Sequence, residues 1–313
     1  MKTIKINFVD FWPDIIKTDN YFYNLLKEYY LVVIDTNNPE ILFFSLFGKE
    51  HLKYNCKKIF FTGENIRPNF LSCDFAFSFD YNKRKNHFRL PLYSLYIDDH
   101  KKKDTIEIVK SKEKLKEIWS KKSKFCSMVV SNPRAKFRIE FFKRLSKIRQ
   151  VDSGGGVLNN VEGKVKDKLS FINDYKFVIA FENEIHNGYT TEKIIEPIFK
   201  DCIPIYWGNK LVNRDFNPNR FINYHDFESE EDLFNKLIEI ENNPDLALNI
   251  ISQPIFSINR LKYSEERIAV YNCINQLFLS NKKPVSRRFL GKLYYLNIKL
   301  CSILKSLKKK FKL

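Results

Sequence analysis

The sequence predicts an α/β protein: two parallel-sheet lobes with a cleft between them, followed by a basic helical tail. Three observations predict it. Short apolar runs alternate with helical patterns over residues 1–100, the alternation resumes after residue 124, and residues 282–313 are basic and amphipathic. At 313 residues two domains are expected, and 44% hydrophobic residues suffice for real cores. That composition excludes a disordered, collagen-like or disulfide-scaffold chain.

The first lobe is drawn as residues 1–118. Ile4, Ile6 and Phe8 alternate as in a half-buried strand, unlike the unbroken core of a signal peptide. Tyr21–Tyr30 reads as a helix, and Leu31–Ile34, Ile41–Phe44 and Lys58–Phe61 as buried strands. The Lys- and Asp-rich stretch 99–124, with a helical pattern over Ser111–Trp119, reads as the interdomain connection. The second lobe is drawn as residues 119–280. Phe125–Val130, Lys176–Phe181 and Ile203–Trp207 read as strands. Ala135–Ser146, Thr190–Phe199, Ser229–Ile240 (with Ser229 as its cap) and Tyr263–Phe278 read as helices. No apolar run approaches the ~18 residues of a membrane span. Cysteines 56, 73, 126, 202, 273 and 301 form no C-x-x-C pair or metal-ligand rhythm, which suits reduced thiols in a cytoplasmic protein.

Charge concentrates in the third segment, residues 281–313. The net charge is +17, and residues 282–313 supply eleven Lys and Arg with no Asp or Glu, leaving the body at +6. Phe289, Leu293, Leu296, Leu300, Ile303, Leu304, Leu307 and Phe311 recur every three or four residues between these cations, after Pro284 and across a loosening Gly291. Such a helix suits an anionic membrane surface, each cation adding about 1 kcal/mol. A helix docked on the body, or a solvated tail, is the alternative. Nucleic acid is not an expected partner, because the body has no RNP-like motif, zinc finger or convincing helix-turn-helix.

The familiar catalytic motifs are missing. There is no G-x-G-x-x-G, no P-loop, no H-E-x-x-H, no G-x-S-x-G and no Asp-x-Asp. The informative window is Tyr175–Gly208. A strand ends in the polar turn Glu182-Asn183, Gly188 and Tyr189 follow, and Thr190-Thr191-Glu192-Lys193 opens a helix. Ligands bind beyond the carboxyl ends of parallel strands, and helix starts offer N–H groups to anions. Lys193 opposes the helix dipole unless an anion lies nearby, while the plain alternative is a strand–turn–helix capped by Thr191.

This window resembles the signature of the α-1,3/4-fucosyltransferases, glycosyltransferase family 10, and the bacterial members in particular. The resemblance extends upstream. Ser131-Asn132-Pro133 with Arg138 resembles the family's S-N-P segment, and Val151–Gly156 its glycine-containing donor loop, which includes Gly155. Thr62-Gly63-Glu64-Asn65 with Pro68-Asn69-Phe70, and Arg89-Leu90-Pro91-Leu92-Tyr93, resemble first-lobe segments. The matching motifs span residues 58–220.

The resemblance implies two Rossmann-like lobes of the GT-B type, the last long helix crossing back to the first. It implies GDP-fucose in the C-terminal lobe. Arg138 and Lys193 would hold the diphosphate, Asn183, Tyr189, Glu192 and Gly155 would make further donor contacts, and Glu64 would be the general base. The implied reaction is an inverting α-1,3 transfer of fucose to the GlcNAc of an N-acetyllactosamine-type glycan, for a Lewis-type antigen or surface polysaccharide. The implied location is the inner face of the cytoplasmic membrane. No cofactor or metal site is expected, although a divalent cation is compatible as a stimulant. The alternatives are α-1,4 transfer, a GT-B enzyme with another nucleotide sugar, or a non-catalytic basic protein that binds membrane or nucleic acid.

The residues support that chemistry independently. A carboxylate just past an apolar strand, as Glu64 is, suits a base for a hydroxyl. Arg and Lys suit a departing diphosphate. Arg138 reads as mid-helical with no acidic neighbour three or four residues away. His186 reads as a surface histidine, and Asp98-Asp99-His100 beside three lysines as an exposed loop rather than metal ligands. Two departures from the family are the loop Glu184–Asn187 and the absence of heptad repeats at the C-terminus.

Overall fold

The computed structural model describes residues 1–310, and for Lys299 and residues 302–310 the backbone alone; Phe311 and Lys312 of the amphipathic pattern lie outside the described residues. The chain forms two compact units, Met1–Leu90 together with the segment from Tyr263 onward, and Pro91–Lys262.

The first unit begins β1 (Thr3–Val9), α1 (Tyr21–Lys27), β2 (Leu31–Ile34), β3 (Ile41–Phe44), β4 (Lys57–Phe61), β5 (Phe75–Ser78) and β6 (His87–Arg89). The strands form one parallel sheet in the order β2-β1-β3-β4-β5-β6. β5 and β6 were not foreseen; at four and three residues they carry too little pattern to show in the sequence. Asn20 caps α1 by accepting the Tyr23 N–H. α1 lays Phe22 on the sheet, where it stacks on Phe43 at 4.9 Å and meets Phe61 edge-on at 5.5 Å.

The second unit runs α2 (Leu92–Asp99), α3 (Lys112–Ser120), β7 (Lys124–Met128), α4 (Lys136–Leu145), β8 (Val151–Ser153), α5 (Lys168–Ile172), β9 (Tyr175–Phe181), α6 (Glu192–Phe199), β10 (Ile203–Trp207), β11 (Ile222–Asn223), α7 (Glu230–Asn242) and α8 (Pro244–Ile251). Its parallel sheet has the order β11-β10-β9-β7-β8. In β9 all of Phe177–Phe181 is buried without alternation, as in a central strand covered on both faces.

The drawn boundary at residue 118 is corrected. α2 packs on α6 and α3 on α8, and Lys110 reaches Asp201 at 2.5 Å, so residues 91–123 belong to the second unit. Their Lys/Asp richness marks the wet face of α3; its other face buries Leu115 and Trp119.

The chain then returns to the first unit as α9 (Tyr263–Leu279) and α10 (Phe289–Lys310). Arg267 pairs with Glu28 at 2.6 Å, and Tyr271 stacks on Tyr29 at 3.7 Å. Lys57 Nζ donates to the Leu277, Phe278 and Ser280 carbonyls, closing the C-terminal end of α9 with a cation. The start of the tail is docked as well, so 281–313 is not a separate segment. Asp74 accepts from the Val285 N–H at 2.8 Å and from Arg288 at 2.7 Å. Lys58, fully buried, donates to Tyr54 O and to the Tyr295 hydroxyl at 2.7 Å, and burial pushes its amine down to about 8. Gly291 does not loosen this helix: a Cβ there would lie 1.8 Å from Val285 O, so glycine is what lets α10 pack against the preceding turn. Beyond this anchor, Leu296 and Leu300 are more than half exposed. Among the described residues no helix is long and apolar enough to cross a membrane, and all six cysteines are free.

Candidate active site

In the second unit the site grows from the carboxyl end of β9. Glu182, the first residue beyond the strand, is fully buried, and its N–H donates to Trp207 O at 2.8 Å. Its carboxylate accepts from the Thr191 N–H and from Thr191 Oγ1, both at 2.7 Å. Thr191 Oγ1 therefore turns to Glu182 instead of capping α6. Lys193 Nζ, in the first turn of α6, lies 3.3 Å from Glu182 Oε2, 3.2 Å from Glu192 Oε1 and 2.8 Å from Thr191 Oγ1. These partners explain a lysine at a helix N-terminus without any ligand. Gly208, at φ +152°, presses on Glu182: a Cβ there would lie 2.6 Å from its Cγ. Asn209, fully buried, accepts the Gly188 and Leu211 N–H groups and donates to Thr190 Oγ1, tying down the loop that carries Tyr189.

Arg138 sits in the first turn of α4 rather than mid-helix, and is 2% exposed. Its Nη2 donates to Asn183 Oδ1 at 3.0 Å, while its Nε–H is buried with no partner among the described residues. A buried guanidinium with an orphaned donor is uncommon and suits an anionic acceptor. Burial pulls the Arg138 pKa down, against the pull of Glu182 and Glu192. Burial also pushes Glu182 up. It would push Glu192 up too, but Lys193 and Lys168 outweigh it and hold that carboxyl at about 2. Lys193 is raised despite its burial because Glu182 and Glu192 flank it. The structure thus joins Arg138, Asn183, Glu192 and Lys193 into one charged cluster, with Tyr189 close enough to act on both cations.

Gly155 plays a different part. A Cβ on it would lie 2.0 Å from Val130 O, whereas one on Gly156 would meet nothing closer than 3.7 Å. Gly155 lets its own backbone pass close against that of Val130. We expect Gly155→Ala to lower the melting temperature sharply and Gly156→Ala to leave it nearly unchanged, as thermal unfolding of the two variants will show.

Glu64 lies in the first unit, exposed, in the turn that leaves β4. Thr62 Oγ1 accepts the Glu64 N–H at 3.0 Å and donates to Glu64 O at 3.3 Å, which fixes the turn and leaves the carboxylate in solvent. His100 lies within 4.0 Å of Glu196 on the wall of α6, away from any metal-like set. Among the described residues no group of three or more His, Cys, Asp or Glu is arranged to hold a metal ion. A cavity of about 110 Å³ over the far end of α6, lined by Phe199, Asp201 and Arg220, includes none of these site residues.

Sequence reasoning passed over Glu182 and Asn209 as working parts. Glu182 was visible as the acidic residue ending the apolar run of β9, but its bonds to Thr191 and Lys193 exist only after α6 folds back on the strand.

Two parallel α/β units, one ending a strand in a free carboxylate and the other gathering cations at a helix start, have the architecture of the GT-B glycosyltransferases. Residues 6–96 match the family model described as the α-(1,3)-fucosyltransferase FucT N-terminal domain, and residues 119–250 the glycosyltransferase family 10 (fucosyltransferase) C-terminal model. The chain belongs to glycosyltransferase family 10. It is 31% identical to the α-(1,3)-fucosyltransferase FucT of Helicobacter pylori over 85% of this chain and 63% of that protein. It is 34% identical to α-(1,3)-fucosyltransferase B of Drosophila melanogaster over 35% of this chain and 28% of that one. The chain thus spans less than two-thirds of the length of these relatives. A crystal structure of an α1,3-fucosyltransferase with GDP-fucose superposes with a TM-score of 0.72 at 28% identity, covering 90% of this chain and 92% of that one.

Proposed function

We propose that this protein transfers L-fucose from GDP-fucose to the GlcNAc of an N-acetyllactosamine-type glycan, inverting the donor's β linkage to an α-1,3 fucoside. The observation that carries this reading is the Arg138–Asn183–Lys193 cluster at the start of α6, with one buried guanidinium donor unused. Family membership supports the same reading.

The acceptor hydroxyl attacks the anomeric carbon and gives its proton to Glu64. The bond to GDP breaks, and the charge that develops on the diphosphate is taken up by Arg138, Lys193 and the first N–H groups of α6. Glu192 and Tyr189 orient the donor. On this reading no resident metal is needed, because Arg138 and Lys193 would neutralise the leaving group; a divalent ion is compatible as a stimulant.

Thermal shifts with GDP, GDP-fucose, GDP-mannose and UDP-galactose test the donor. At about 100 times its dissociation constant a ligand adds about 2.7 kcal/mol. Stabilisation by GDP and GDP-fucose is expected. Stabilisation by UDP-galactose instead would keep the fold and overturn the donor.

The tail gives the enzyme a place to work, at the inner face of the cytoplasmic membrane. Phe289, Leu293, Leu296 and Leu300, spaced four, three and four residues apart, form an exposed apolar stripe on α10 among tail cations. Because Val285–Tyr295 anchors to the first unit, the informative truncation starts at residue 297. Removing residues 297–313, which takes away Leu300 and six of the eleven tail cations, should weaken sedimentation with anionic vesicles and leave transfer in solution intact. Undiminished vesicle binding would remove the tail from this role.

A further inference from the structure

Glu182 and Gly208 stand just past the carboxyl ends of β9 and β10. The amino ends of β10 and β11 lie at the opposite edge of the same parallel sheet. There, over the last turn of α6, is the cavity of about 110 Å³. Its wall holds Arg220, two residues before β11 and 2% exposed. A guanidinium has five N–H donors and stays charged in proteins. Among the described residues Arg220 makes one hydrogen bond, from Nη1 to the Cys202 carbonyl at 3.4 Å, and no ion pair. Asp201 on the same wall attracts it, but that carboxylate is bonded to Lys110 at 2.5 Å. Burial pulls the Arg220 pKa down to about 10, which leaves it a cation at neutral pH. A buried cation with most of its donors open is costly unless an anion completes it.

The rest of the cavity says what kind of anion. Ile106, Ile198, Phe199 and Ile251 are buried and make its walls apolar. Ile108 and Val109 line it too and are exposed, so they form its rim. Lys110 and Asp201 cancel, Lys102 and Glu107 add one charge of each sign, and the charge of Arg220 is left over. The volume approaches the roughly 150 Å³ that houses a benzene ring. We infer that this cavity binds a small monocarboxylate with a compact apolar body. Arg220 takes the oxygen pair, and the four apolar side chains take the body. A phosphate dianion would bring a second negative charge that the single guanidinium does not match. The site lies away from the donor cluster, and the inference does not rest on the transferase reading.

Calorimetric titration of the full chain with benzoate, isovalerate, benzamide and inorganic phosphate tests it. We expect benzoate or isovalerate to bind saturably at one site, with benzamide and phosphate at least about tenfold weaker. Arg220→Met keeps most of the side-chain volume and removes the charge. It should abolish carboxylate binding without lowering the melting temperature, as expected of a buried charge that serves a ligand and not the fold. Ile108→Asp, at the exposed rim, puts a like charge at the mouth and should weaken benzoate several-fold, more at low salt. It tests the site even if Arg220→Met does not fold. Equal binding of benzamide or phosphate overturns the carboxylate class. Benzoate binding unchanged in both variants, or kept in Arg220→Met and lost in Arg138→Met, overturns the assignment to this cavity. No saturable binding of either carboxylate overturns the inference and leaves fucosyl transfer standing.

Discussion

Glu64→Gln is expected to lower fucosyl transfer by about 10²–10⁴-fold while GDP and GDP-fucose still bind. The amide keeps the size and hydrogen-bonding reach of the side chain but does not take a proton. The turn is held by Thr62 through the backbone of residue 64, so the substitution leaves its shape unchanged. Donor binding is assigned to residues of the other unit, and GDP should stabilise the variant as much as it does the parent. The kinetic loss should fall on kcat and kcat/KM together, because proton removal is required only in the transition state. Transfer at the parental rate would exclude Glu64 from the chemistry.

Lys193→Met should be the most damaging single change in the second unit. It removes the cation between Glu182 and Glu192 and leaves two buried or half-buried carboxylates without it, a loss of about 3–5 kcal/mol by the usual behaviour of broken buried ion pairs. GDP affinity should fall as well. Structural and ligand effects separate in the double variant Glu192→Gln/Lys193→Met. Removing one orphaned carboxylate should restore part of the stability, a non-additive result, while GDP affinity stays low. The pH dependence has a definite sign. Glu192 titrates at about 2 in the folded protein against an ordinary 4.5, so its contribution to stability is complete above pH 4.5 and fades as pH falls toward 2. Without Lys193 that pull on Glu192 is lost, so the variant should start out less stable but lose less of its stability between pH 4.5 and 2 than the parent. Melting curves across this range compare the two proteins directly.

The long apolar runs were legible because burial on both faces leaves no other composition for a strand such as Phe177–Phe181, and Ser229 announced its helix as a cap. The polar positions Arg138, Asn183, Glu192 and Lys193 were legible as motif members; the structure brings them together. What the sequence hid was mostly non-local. Glu182 accepts bonds from a residue nine places on, and Asn209 braces a loop some twenty residues earlier. Gly155 and Gly291 read as loop and hinge, whereas both permit close backbone contacts that only the fold creates. The domain boundary was misread because a charged helix face has the composition of a linker; the buried side of α3 is just Leu115 and Trp119.

The central claim is coupled transfer, and one assay addresses it most directly. The full chain is incubated with GDP-fucose, with and without N-acetyllactosamine, and both GDP and the glycan product are followed. The account predicts acceptor-dependent GDP release, an equal amount of α-linked fucosylated product, and loss of both in Glu64→Gln. GDP release that does not depend on acceptor, or a β-linked product, would contradict it.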